Sequence, residues 1–79
     1  MYFVGIDVGK HDHEAVILDH QGDDCGDTLE ISNRRSGVET LVERLESLDE
    51  PVKVAVESSG QYWLCLYDQL TARGYDVAV

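Results

Sequence analysis

The sequence predicts an α/β domain built on a mixed five-stranded sheet. Two apolar runs, each ending on a carboxylate, are the first sign: Tyr2-Phe3-Val4-Gly5-Ile6-Asp7 and Val52-Lys53-Val54-Ala55-Val56-Glu57. Two stretches with apolar residues at helical spacing follow in the positions that connect strands. Short polar turns divide the first third of the chain, which favours an antiparallel meander there. The first run reads as a strand buried on both faces, at the centre of the sheet.

Taken in order, strand 1 covers about Tyr2 to Asp7, and Val8-Gly9-Lys10 turns the chain. Strand 2 covers about Glu14 to Leu18, and Asp19-His20-Gln21-Gly22-Asp23 is a polar turn containing glycine. Strand 3 covers about Thr28 to Ile31, where Leu29 and Ile31 alternate with Thr28 and Glu30 as on a half-exposed strand. In the first helix, Ser36 and Glu39 have capping-box spacing. Val38, Leu41, Val42, Leu45 and Leu48 then form one apolar stripe, and Pro51 marks the exit. Strand 4 is Val52 to Glu57. The second helix starts at about Ser59 or Gly60 and ends near Arg73, with Gly74 in the C′ position. Trp63, Leu66, Tyr67 and Leu70 form its stripe, and strand 5 is Tyr75 to Val79.

The order is therefore β-β-β-α-β-α-β. The closing βαβ unit crosses over right-handedly and makes its two strands parallel. The first helix returns the chain to a place beside strand 1, which gives strand order 3-2-1-4-5. With 79 residues there is room for one small domain. Nothing follows the last strand to cover it, so residues 1–79 are expected to be a single, partial domain, incomplete at the C-terminus.

Charge narrows the function. Six Lys and Arg stand against 16 Asp and Glu, for a net charge of −10. That balance argues against a simple basic nucleic-acid surface without excluding binding, since metal ions or further basic domains could supply the positive charge. Cys25 and Cys65 lack metal or redox spacing and read as reduced, structural thiols of a cytoplasmic protein. No signal segment is visible, and no apolar run approaches the roughly 20 residues of a membrane span.

The candidate site is Asp7 with Glu57. In an open sheet, sites form beyond the carboxyl ends of parallel strands, and both residues stand there. Parallel neighbours lie about 4.8 Å apart, which puts the two carboxylates within reach of one divalent cation. The bland alternative has Asp7 capping a turn and Glu57 merely solvated. His11, Asp12, His13 and Glu14 read as a polar loop entering strand 2 rather than a metal cluster. Lys10 reads as a solvated turn residue, and Arg34 and Arg35 as loop residues. Ser58-Ser59-Gly60 fits a helix start, with or without a phosphate on its amides. Trp63, Tyr62 and Tyr67 read as core.

Val4-Gly5-Ile6-Asp7-Val8-Gly9-Lys10 resembles the opening motif of the DEDD-type insertion-sequence transposases, the one-ten group that includes the Piv-type invertases. Val54-Ala55-Val56-Glu57-Ser58-Ser59-Gly60-Gln61-Tyr62-Trp63 resembles their second motif, and Leu70, Gly74, Tyr75 and Val77 fit the stretch beyond it. The resemblance implies a ribonuclease-H-like, RuvC-like catalytic domain. It makes Asp7 and Glu57 the first two acidic residues of a tetrad that holds Mg²⁺ or Mn²⁺ for DNA strand cleavage and transfer. The family's other two aspartates lie further along than Val79, so this chain alone is expected to be inactive. DNA is the implied partner, with a guide RNA in members that use one, and the complete protein is expected to form homo-oligomers.

Two rival readings stand beside it. One is an actin-like, sugar-kinase-type ATPase domain, which shares the Gly-Ile-Asp-x-Gly strand and the element order. Against it, Lys10-His11-Asp12-His13 stand where that family places small hydroxyl residues. The other is an inactive transposase remnant.

Overall fold

A computed structural model describes residues 1–57, 60 and 62–79, with only the backbone for 24–27. The strands are β1 (Tyr2–Val8), β2 (Asp12–Leu18), β3 (Asp24–Ser32), β4 (Val52–Glu57) and β5 (Asp76–Ala78). The helices are α1 (Arg35–Glu46) and α2 (Leu64–Ala72). The sheet runs β3-β2-β1-β4-β5, the expected order. β1 is antiparallel to β2 and parallel to β4, and β4 is parallel to β5. This is the mixed sheet of a ribonuclease-H-like fold.

Val4 and Ile6 of β1 are buried together with Ala15 and Ile17 of β2, Ile31 of β3 and Val54 and Val56 of β4. Val38, Leu41, Val42 and Leu45 from α1 and Leu66 and Leu70 from α2 join the same cluster. Because side chains alternate along a strand, these residues all belong to one face of the sheet. Both helices therefore cover that face. The opposite face, with Phe3, Asp7, Glu14, Lys53 and Glu57, is exposed. The expectation that strand 1 is buried on both faces is thus corrected. Gly5 and Phe3 make the run apolar in letters, but Phe3 remains 38% exposed.

The start of α1 also differs from expectation. Arg34 is the N-cap, in extended conformation, and among the described residues it makes no side-chain cap hydrogen bond. Ser36 lies inside the first turn, so the predicted capping box does not form. Packing sets the start instead. Gly37 is buried, and a Cβ there would collide with the carbonyl oxygen of Ser32 at the end of β3. The helix must begin early enough to press its own backbone against that strand.

The end of α2 matches its reading. Gly74 has φ +89°, a left-handed conformation that glycine adopts without cost. Its N–H donates to the Thr71 carbonyl at 3.0 Å, and the Tyr75 N–H donates to Leu70 at 3.1 Å. That pair of bonds is a Schellman motif. α2 begins at Leu64, later than expected, and the predicted cap residues Ser58 and Ser59 lie outside the described residues. Trp63 and Tyr67 meet edge to face, with ring centroids 5.7 Å apart, and Trp63 packs on the core. Tyr62 does not, being 41% exposed.

Candidate functional site

The register of β1 with β4 brings Asp7 directly beside Glu57. Both side chains stand on the open face, at the carboxyl ends of two parallel strands. Local sequence explains their position: Val4 and Ile6, like Val54 and Val56, point inward, so the last residue of each run points out. Two exposed carboxylates on neighbouring strands are hard oxygen donors open to solvent and to a ligand.

The register adds two residues that sequence reasoning missed. Asp7 faces Glu14 on β2, and Glu14 faces Glu30 on β3. Glu30, Glu14, Asp7 and Glu57 thus form an acidic row across four strands of the open face. The row spans about 14 Å at the usual strand spacing. Its members meet as neighbouring pairs, and among the described residues no three His, Cys, Asp or Glu side chains group tightly enough to hold a metal ion. The signal for Glu14 and Glu30 was the alternation of strands 2 and 3, which becomes useful only once the pairing is known.

His13 corrects the polar-loop reading of residues 11 to 14. It belongs to β2 and is 1% exposed. The Gly9 N–H donates to its Nδ1 at 3.3 Å, so the ring hydrogen sits on Nε2 and faces Asn33 Oδ1 at 3.1 Å. Asn33 in turn donates from Nδ2 to the Lys10 carbonyl and from its backbone N–H to the His11 carbonyl. A buried imidazole with both nitrogens bonded is satisfied. It fastens the turn after Asp7 to the segment between β3 and α1.

Cys65 is exposed and free, so it is not a core thiol, and its Sγ accepts from Gln69 Nε2 at 3.0 Å. Among the described residues no helix is long and apolar enough to cross a membrane.

Comparison with known structures places the fold. The chain is similar to a ROK family glucokinase from Streptomyces griseus, solved in complex with glucose and AMPPNP. The TM-score is 0.55 at 16% sequence identity, over 100% of this chain and 32% of the glucokinase. This chain therefore spans about a third of that protein, and at such identity the likeness shows the arrangement of strands and helices alone. No curated protein matches the sequence. A transposase family model matches residues 4–79, almost the whole chain and both carboxylate-tipped strands. The chain belongs to the DEDD-type transposases of the insertion-sequence one-ten group.

Proposed function

We propose that residues 1–79 are part of the catalytic domain of a transposase that cuts and transfers DNA strands with Mg²⁺ or Mn²⁺. Asp7 and Glu57 are its first two carboxylates. The observation that carries this reading is the direct pairing of those two residues on parallel strands, in a chain that matches a transposase family.

The donor set suits the ion. Mg²⁺ takes oxygen ligands, keeps several waters, and is commonly held by one or two carboxylates together with substrate phosphates. When bound, such an ion polarises a phosphoryl oxygen as a Lewis acid. Asp7 and Glu57 contribute fixed negative charge at strand tips, where the sheet holds their backbones rigid. Their exposure leaves room for a phosphate beside them. Glu14, next to Asp7 on its other side, strengthens the local field that draws a cation in. Two carboxylates alone bind such an ion weakly, which fits a tetrad completed by other residues of the protein.

The test is strand cleavage of a supercoiled target by the protein that carries this chain, with Mg²⁺ present. Asp7→Asn keeps the shape and removes one charge, so it is expected to abolish cleavage while leaving the fold intact. Cleavage by the variant at the wild-type rate would overturn the proposal.

The glucokinase likeness supports a second reading, an ATP-binding domain of the actin-like type. It is the weaker one, because Lys10-His11-Asp12-His13 follow the first strand in place of small hydroxyl residues. ATP hydrolysis that depends on Asp7, without DNA cleavage, is the result that would favour it.

A further inference from the structure

Lys10 and Arg34 are far apart in sequence, yet they line one cleft of about 350 Å³ together with His11, Asp12, Asn33 and Ser36. It lies between the β1–β2 turn and the start of α1, at the end of the sheet where Asp7 and Glu57 stand. Arg35, Lys53 and Arg73 each face a carboxylate elsewhere. Among the described residues, neither Lys10 nor Arg34 has an ion-pair partner. Two of the chain's six Lys and Arg residues thus share one cleft.

We infer that this cleft holds the phosphodiester backbone of a nucleic-acid strand beside Asp7. The inference rests on the nuclease-type reading above and names where its substrate lies. Lys and Arg are the side chains that neutralise backbone phosphates, and His11 and Ser36 supply further polar groups. The chain from Asp7 to Lys10 spans at most about 10 Å, so a strand held at Lys10 passes close to the paired carboxylates. Asp12 is the one carboxylate on the cleft wall, and it also lines the adjoining hollow with Asp7, Glu14 and Glu30. The two hollows are therefore neighbours that share a wall.

The cleft is held in shape before any ligand arrives. Asn33 bonds the carbonyls of Lys10 and His11, and the buried His13 bonds Asn33. Groups fixed in this way lose less freedom when they bind. The first turn of α1 opens at the same place with no side chain capping it.

The test measures binding of a short DNA duplex, and separately an RNA hairpin, by fluorescence anisotropy between about 50 and about 200 mM salt. Two double variants are compared, Lys10→Glu with Arg34→Glu, and Lys53→Glu with Arg73→Glu. They change the net charge equally, and all four positions are solvent-accessible, so circular dichroism should show both folded. The cleft variant is expected to bind at least about tenfold more weakly, with a salt dependence shallower by about 2, for two lost phosphate contacts. The other variant should stay near the wild type. Whichever probe the wild type binds more tightly identifies the strand. Equal weakening of the two variants, or no binding of either probe by the wild type, would overturn the cleft. Intact Asp7-dependent cleavage beside such a result would leave the metal reading standing. Cleft-dependent binding with cleavage indifferent to Asp7 would do the reverse.

Discussion

Asp19 shows how much one side chain does in a turn. Its carboxylate accepts from the Asp23 N–H at 3.0 Å and from the Gln21 N–H at 2.9 Å. Those backbone bonds, Asp23 first, hold its pKa below the ordinary aspartate value of 3.8. The folded chain thus gains stability from ionised Asp19 above that value, and loses it as pH falls through the folded pKa. Thermal melts of wild type and Asp19→Ala should differ most near neutral pH, and the gap should close below about pH 4. Gly37 makes a prediction of opposite habit. Gly→Ala inside a helix ordinarily stabilises by roughly 0.5–1 kcal/mol. Here the added methyl meets the Ser32 carbonyl, so Gly37→Ala should destabilise by about 1–3 kcal/mol in chemical denaturation. At this scale the sequence was only partly legible. Asp7 and Glu57 stood out because each ends an apolar run. His13 did not, since His11-Asp12-His13-Glu14 looks like a polar loop until the β1–β2 register assigns inside and outside.

At the scale of elements, the strand order and the Schellman end of α2 were legible, because apolar runs, short turns and a well-placed glycine are local signals. Which face each helix covers was not. An apolar run such as Tyr2 to Ile6 does not say whether its second face is covered, and here the residues on that face are Phe3 and Gly5. Val38, Leu41, Val42 and Leu45 of the α1 stripe are sealed against the sheet, with Leu45 1% exposed, whereas Leu48 lies beyond the helix and is half-buried. Leu45→Ala should cost about 2–5 kcal/mol, measured by denaturant unfolding. A cost below about 1 kcal/mol would make α1 peripheral. The acidic row belongs to this scale as well. Like charges facing each other across strands destabilise a sheet. Glu14→Gln, which removes the middle charge between Asp7 and Glu30, should therefore raise the melting temperature in metal-free buffer. An unchanged melting temperature would mean that the row is screened, and a lower one that Glu14 is held by a favourable interaction.

Across the whole molecule, charge is divided by position. Acidic side chains crowd the open face at the carboxyl ends of the parallel strands, and Lys10 and Arg34 stand just beyond them. On the reading proposed above, that end of the sheet takes both a cation and a phosphate, although the net charge of −10 repels nucleic acid at long range. A divalent ion held there would stabilise the fold through mass action and would neutralise part of the row at the same time. The most direct measurement of the central claim is a titration of the isotope-labelled chain with Mn²⁺, followed by paramagnetic loss of amide signals. Signals around Asp7 and Glu57 are predicted to vanish first, and to persist in Asp7→Asn at the same Mn²⁺ concentration. First losses centred on Asp19 to Asp24, or an identical pattern in wild type and Asp7→Asn, would contradict it.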